Sequence, residues 1–296
     1  MAANVVTSIS LRSLPKVGSG KVRELFDVDD NTLLVVTSDR ISAFDIVMRN
    51  GIPLKGALLT MLSKHWFTTH FITTDLPAGI SYSDSDIASL SNRSMQVQRY
   101  KIFPLECIVR GHLAGSAWKE YVAQGTAHSI LLLQGLTECA AIPGGPIYTP
   151  STKAPDGQHD KNIHPDEAIK VVGKEYAQRI EKLELNFFQA GRDYAARRGI
   201  IIADTKFEFG LDKTTDEIIL IDEVFTPDSS RMWTQETYKP GQAQKSLDKQ
   251  PLRDWLVATG LDGKERVEIP DTIAREISQR YKDVFTILTG ETRSTK

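Results

Sequence analysis

Ile200-Ile201-Ile202-Ala203-Asp204-Thr205-Lys206-Phe207-Glu208-Phe209-Gly210 decides how this chain is read. The stretch begins as an apolar run and then alternates charge with phenylalanine. Alternation of period two puts Asp204, Lys206 and Glu208 on one face of a strand and sends Phe207 and Phe209 toward a core. A second apolar run, Ile218-Ile219-Leu220-Ile221, ends in Asp222-Glu223 and leads into Pro227-Asp228-Ser229-Ser230-Arg231. Residues 211–217 between the runs are polar enough for a hairpin loop, which makes the runs an antiparallel pair. A hairpin centred near Thr215 places Glu208 opposite Asp222. Facing carboxylates repel unless a cation lies between them. Magnesium is commonly held by one or two carboxylates plus phosphate oxygens, so Glu208 and Asp222 are candidate metal ligands. A purely internal ion pair is the alternative for Lys206. One lysine, however, does not neutralise four nearby acids (Asp204, Glu208, Asp222 and Glu223).

Outward from that hairpin, residues 22–28 and 32–38 flank Asp29-Asp30-Asn31 and read as another hairpin, opened by Gly18-Ser19-Gly20-Lys21. Leu58, Leu62 and Trp66 fall four apart and predict a helix over 55–70. Residues 96–109 predict two strands broken at Phe103-Pro104. A helix over 114–124 stops at Gly125, and a long one from Pro165 to about 198 stops at Gly199. A final helix is expected over 271–288. Residues 140–163 are rich in proline and glycine without periodicity, and an ordered loop of that length is usually functional. Strands early and long helices late, with antiparallel hairpins, point to an α+β fold. The expected division is a β-rich lobe over 1–102 and an α+β lobe over 103–296.

With 296 residues, 41% hydrophobic and 25% charged, the chain has material for one large or two modest cores. A net charge of −2 argues against a general nucleic-acid or membrane-surface binder, so any anion site is local. Cys107 and Cys139 lack C-x-x-C partners and read as buried thiols, and the six histidines form no zinc motif. No apolar run is long enough for a membrane span. The N-terminus lacks a secretory pattern, which makes the cytoplasm the expectation; the absence of acids before Glu24 keeps a transit segment as its alternative.

Two further segments suggest anion binding. Gly18-Ser19-Gly20-Lys21-Val22-Arg23 offers glycines and two cations, but it fits neither the Walker pattern nor G-x-G-x-x-G, and a flexible turn explains it equally well. In Glu106-Cys107-Ile108-Val109-Arg110-Gly111-His112-Leu113-Ala114-Gly115-Ser116 an arginine ends a strand, and a glycine and serine open a helix. A helix N-terminus with an arginine beside it suits a phosphate. Ser38-Asp39-Arg40-Ile41-Ser42-Ala43-Phe44-Asp45 ends a strand with adjacent opposite charges, for which a surface salt bridge is the ordinary reading.

Taken in order, Gly20-Lys-Val-Arg, the 38–45 block, the 106–116 block, Asp204-Thr-Lys-Phe-Glu-Phe-Gly and Asp222-Glu-Val-Phe-Thr-Pro-Asp-Ser-Ser-Arg resemble the signature blocks of the SAICAR synthetase family. The length, with Asp248-Lys-Gln and Arg253-Asp-Trp-Leu, resembles the stand-alone fungal form. The resemblance implies an ATP-grasp-like fold with the nucleotide between two lobes. It also implies a purine-biosynthetic ligase in which ATP phosphorylates the carboxylate of CAIR and the amine of L-aspartate displaces phosphate, giving SAICAR. Lys21 and Arg23 match residues on the ATP phosphates, the backbone around Ile102 and Leu105 an adenine hinge, and Lys153 another ATP contact. Glu208 and Asp222 match the magnesium ligands. Arg110, Ser116, Ser230 and Arg231 match the grip on the ribose phosphate. Lys206 and Asp160 look like further substrate contacts, with Lys206 and Asp204 as catalytic candidates, and Ser38, Asp39 and Arg40 are expected near the imidazole carboxylate or aspartate. Where some bacterial members have a second arginine this chain has Gly111-His112, so that role does not transfer. The expected partners are small molecules (ATP, CAIR and L-aspartate) with no nucleic acid or membrane, bound by a monomer or a homo-oligomer. A small-molecule kinase and a non-catalytic nucleotide sensor are the competing readings.

Overall fold

Valine, leucine and phenylalanine on both sides of Asp29-Asp30-Asn31 produce the first sheet. In the computed structural model, which describes residues 5–66, 70–153 and 160–291, the elements before Tyr100 are β1 (Lys16–Ser19), β2 (Arg23–Asp29), β3 (Thr32–Thr37), β4 (Arg40–Ala43), β5 (Ile46–Gly51), α1 (Lys55–Trp66), β6 (Phe71–Thr73), α2 (Asp84–Leu90) and β7 (Ser94–Gln98). Five of these strands form an antiparallel sheet in the order β1-β2-β3-β7-β6, and β4 pairs with β5. The run Leu33-Leu34-Val35-Val36 has no polar alternation because both faces of β3 are covered. Leu34 and Val36 join Ile9, Leu11, Leu14 and Phe26, while Val35 packs with Met95 and Val97. Residues 67–69, the end of the helix expected over 55–70, lie outside the described residues.

From Tyr100 onward come β8 (Lys101–Ile102), β9 (Leu105–Arg110), α3 (Gly115–Gln124), β10 (Thr126–Ala127), β11 (Ile130–Leu131), β12 (Ile147–Tyr148), β13 (Ser151–Thr152), β14 (Lys161–Asn162), α4 (Pro165–Val172), α5 (Lys174–Ala196), β15 (Ile200–Asp212), β16 (Glu217–Ile221) and β17 (Ser230–Thr234), followed by α6 (Gln250–Thr259) and α7 (Asp271–Thr289). The 13-residue β15 is the spine of an antiparallel sheet ordered β14-β13-β9-β15-β16, with β8 and β17 also paired to it and β12 to β9. On its core side Phe207 and Phe209 are fully buried and meet Phe187 and Phe225 in edge, tilted and stacked ring contacts. The helix expected from Pro165 to 198 is two helices. Gly173, at φ 85 and ψ 153, leaves helical geometry between them. Residues 154–159 of the Pro/Gly loop lie outside the described residues.

The packing forms two compact units. One holds Met1–Arg99, Thr226–Asp228 and Asp248–Lys296, and the other holds Tyr100–Phe225 and Ser229–Leu247. The first boundary is close to the expected 102/103, but residues 248–296 return to the N-terminal unit. The cause lies in amphipathic pairing: α7 packs on α1 and α6 on α7, burying Ile277, Tyr281, Val284, Phe285 and Leu288. No sequence period announces which partner such a helix will choose.

Candidate active site

Along β15 the front-face charges stand two residues apart, so Asp204 to Glu208 covers about 13 Å. A register shift between Ile202 and Asp204 in the β15–β17 pairing sets the first of them directly beside both neighbouring strands. Asp204 pairs with Arg110 of β9 on one side and Arg231 of β17 on the other. Arg231 Nη1 donates to Asp204 Oδ2 at 2.7 Å, and Arg110 Nη1 lies 3.6 Å from the same oxygen. Two guanidinium groups therefore share one carboxylate. Burial works against the charge of Arg110, yet its Nε donates to Thr149 Oγ1 at 3.0 Å and its Nη2 lies 3.5 Å from Ser116 Oγ and 3.3 Å from His128 Nε2.

Ser116 is exposed in the first turn of α3, a helix without a side-chain cap at Ala114. Its entry depends on Gly115. There φ is +59°, and a Cβ would stand 2.5 Å from Arg231 Nη2, so the arginine lies flat on a glycine that no other residue replaces without strain. Ser230 is buried and shares a 2.7 Å hydrogen bond with Thr205.

Two residues along, Lys206 Nζ donates to Glu106 Oε2 at 2.8 Å. At the far end Lys153 is ion-paired with Glu208. Burial first, and then the Asp222 carboxylate, push the Glu208 carboxyl above its ordinary range, while Lys153 pulls the other way and Glu106 adds to the rise. The hairpin register is one residue off the expected one: Glu208 lies opposite Ile221, and Asp222 follows the strand end in a left-handed conformation at φ 63°. The two carboxylates still interact electrostatically. The internal ion pair weighed for Lys206 is made with Glu106, and Asp204 belongs to the two arginines.

The residues expected at an adenine hinge are backbone-engaged in the same unit. Phe103 N–H donates to Phe209 C=O, Lys153 N–H donates to Pro104 C=O, Ile102 pairs with Gly210 and Leu105 with Thr152. Ile102 keeps an exposed side chain, and Asp160 is exposed just before β14.

In the other unit, Gly18 to Arg23 is the turn of the β1–β2 hairpin, closed by Gly20 N–H to Arg23 C=O. Arg40 holds that turn through the carbonyls of Gly20 and Lys21 and pairs with Glu24 rather than with Asp39. Asp39 is fully buried; it accepts two bonds from Arg93 and one each from the amides of Val6 and Gly56. Ser38 donates to Val22 C=O. Lys21 reaches Asp45 at 2.5 Å. The Pro227-to-Arg231 turn is divided in use. Asp228 is buried in the first unit against Lys55, Lys249 and Tyr281, which together outweigh burial and hold it well below the ordinary carboxylate range. Ser230 and Arg231 continue into β17.

A strand face of alternating acid and lysine, terminated by two arginines at an uncapped helix start, suits a ligand with phosphate at one end and a reacting carboxylate toward the other. The profile of the SAICAR synthetase family matches residues 16–270. The chain belongs to that family. It is 49% identical over 292 residues to the phosphoribosylaminoimidazole-succinocarboxamide synthase of Candida albicans, covering 97% of this chain and 99% of that one. It is 47% identical over 294 residues to the Saccharomyces cerevisiae enzyme, covering 94% and 95%. The solved S. cerevisiae SAICAR synthase complexed with SAICAR superposes with a TM-score of 0.88 at 44% identity, covering 98% and 99%. The α+β, antiparallel, ATP-grasp-like fold expected from the resemblance is the one found. Like the rest of the SAICAR synthetase family, this chain is an ATP-dependent carbon–nitrogen ligase that joins L-aspartate to the carboxylate of CAIR.

Four residues were missed from the sequence: Glu106 as the partner of Lys206, and Thr149, Glu120 and His128 around Arg110. Glu106 sat in a quoted block without a role. The other three carry no motif, because they act across 8 to 41 residues of chain.

Proposed function

We propose that the ligation runs along the front of β15, with the ribose phosphate of CAIR at Arg110, Ser116, Ser230 and Arg231 and its carboxylate toward Lys206. The observation that carries this reading is the Arg110–Asp204–Arg231 row, where two guanidinium groups with one shared carboxylate leave a net positive charge at a helix start. Asp204 then serves as the group that holds both arginines, rather than as a base. Lys206, held by Glu106, offsets charge on the carboxylate as it becomes an acyl phosphate. The amine of L-aspartate attacks that carbonyl carbon, and the phosphate leaves with the bonding electron pair.

Lys21, Arg23 and Lys153 are assigned to the ATP phosphates, the backbone at Ile102 and Leu105 to adenine, and Asp160 to a further substrate contact. Ser38, Asp39 and Arg40 are reassigned: Ser38 and Arg40 bond the carbonyls of Val22, Gly20 and Lys21 and shape the glycine turn, while Asp39 holds Arg93 and the amides of Val6 and Gly56 inside the fold. Magnesium fits Glu208 and Asp222, because a cation between them would relieve the repulsion by which the Asp222 carboxylate helps to raise the Glu208 carboxyl. Bound there, it would neutralise charge on the transferring phosphoryl group. No helix among the described residues is long and apolar enough to cross a membrane. Two buried free thiols suit a reducing compartment, and we assign the enzyme to the cytoplasm as a monomer.

ADP release measured with CAIR, with and without aspartate, tests the chemistry. Sustained turnover that needs both substrates is expected. Turnover without aspartate would make the chain a kinase, and none under either condition would make it a sensor.

A further inference from the structure

The β10–β11 hairpin turns on two residues, His128 and Ser129, between the paired Ala127 and Ile130. Their φ values are 50° and 62°, the positive pair that a two-residue type I′ connection demands and that Asn-Gly adopts most readily. Neither residue here is glycine or asparagine. The turn is held by Glu120 of α3, whose carboxylate accepts from the amides of His128 and Ser129 and from the Thr126 hydroxyl at 2.8–3.0 Å. Strained backbone kept in place by a dedicated carboxylate is a reason to ask what its side chain does.

The His128 ring is 2% exposed and lies between two polar groups. Nδ1 is 2.9 Å from the carbonyl of Pro150, and Nε2 is 3.3 Å from Arg110 Nη2. A carbonyl only accepts and a guanidinium only donates, so Nδ1 carries the proton and Nε2 presents its lone pair to the arginine. The ring bonded in this way is neutral. Arg110, Arg231 and Asp204 then sum to one positive charge, and an acceptor carrying negative charge at position 128 would cancel it.

We propose that His128 is a positioning residue for Arg110: its neutral imidazole fixes the guanidinium from behind and leaves the positive charge for the substrate phosphate. The inference rests on the phosphate-grip reading given above. Burial first, and the Arg110 charge second, depress the ring's affinity for protons from the ordinary 6.5 to about 4. Glu120 raises it and Lys206 lowers it, so the lone pair is available throughout the neutral range.

The test compares His128→Gln, His128→Asp and His128→Leu in the full chain, measuring KM for CAIR, KM for ATP, kcat and Tm. Glutamine accepts from Arg110 with its oxygen and donates to Pro150 with its amide, so its KM for CAIR should stay near the wild-type value. Leucine lacks the acceptor and aspartate adds a charge. Each should raise KM for CAIR about tenfold, the scale of one hydrogen bond to a charged group, with kcat and KM for ATP little changed. If leucine does not fold, the glutamine–aspartate contrast decides alone. Equal KM values for CAIR in glutamine and aspartate, or a rise shared equally by ATP, would overturn the proposal. Adding His128→Leu to Arg110→Ala should raise KM for CAIR no further; an additive rise overturns it too. An Arg110→Ala variant with unchanged KM for CAIR would instead remove the phosphate-grip reading itself. A raised KM in Arg110→Ala beside an unchanged one in His128→Leu removes only the role of His128.

Discussion

The two ends of the charged face of β15 are built on opposite plans. At Asp204 each guanidinium has a carboxylate partner, and Arg110 has three further polar neighbours. That end is finished before any ligand arrives, and its remaining positive charge is held in fixed geometry. At Glu208 two interacting acids lie near the Lys153 ammonium, and burial first, then Asp222, raise the Glu208 carboxyl above its ordinary range. Glu208, Asp222 and Lys153 sum to one negative charge. The two ends thus differ in the sign of their net charge, which the proposed function reads as an anion grip at one end and a cation site at the other.

The largest effect is expected at the acidic end. Glu208→Gln and Asp222→Asn should each lower kcat by about two to three orders of magnitude, with circular dichroism unchanged. Near-normal activity in either variant at ordinary magnesium would reduce the pair to an internal feature of the hairpin. The finished end should respond more gently and through binding. Gly115→Ala forces a Cβ into the space of the Arg231 guanidinium and a side chain onto a φ of +59°. KM for CAIR should rise about tenfold if Arg231 loses one charged hydrogen bond's worth of affinity. Stability should fall by more than the roughly 0.4–1 kcal/mol that Gly→Ala confers where the backbone allows it. An unchanged KM for CAIR would show that the arginine tolerates displacement and that its placement is not the source of the grip.

Which parts of this contrast the sequence revealed depends on how far apart the cooperating residues are. The period-two face of β15 was legible, because alternation along one strand is local: Asp204, Lys206 and Glu208 in front, Phe207 and Phe209 behind. So was the stop of α3 at Gly125, whose φ of 73° is what a glycine cap supplies. The one-residue error in the Glu208–Asp222 register arose at the turn, where pairing is centred between Thr214 and Thr215 rather than at Thr215. Local pattern also hid Gly173, which interrupts a helical period without a proline to mark it. Non-local bonds were out of reach. Asp39 and Arg93 are 54 positions apart and Arg110 and Thr149 are 39 apart; neither pair has a spacing that sequence alone can interpret. For Asp39 that is the ground of the proposed reassignment, because a carboxylate expected near substrate accepts bonds from Arg93, Val6 and Gly56 inside the fold.

The smallest effect sharpens the comparison from the far side of the same sheet. Glu184 lies on α5, which packs on β9 and β15; it is fully buried, and neither carboxyl oxygen accepts a hydrogen bond among the described residues. Burial, with Glu181 a lesser cause, raises its carboxyl well above the ordinary 4.5. The folded protein therefore holds a proton that the unfolded chain releases above 4.5, so this group's contribution to stability is intact at lower pH and is lost as pH rises. Glu184→Met should stabilise the enzyme at pH 8 by roughly 1–3 kcal/mol, the scale of one unsatisfied buried polar group. The gain should shrink toward pH 4, where the glutamate is protonated in both states. Thermal melts across that range measure it, and a gain that grows on acidification would refute the buried neutral acid. The magnesium dependence of activity should not move. Burial raises the Glu184 carboxyl as it raises that of Glu208, and each has a second acid near it (Glu181 and Asp222), but of the two only Glu208 is ion-paired with Lys153. A shifted magnesium requirement in Glu184→Met would mean that a buried carboxyl on the far side of the sheet is enough to influence the metal, and the distinction between the two ends of β15 would then rest on burial rather than on pairing.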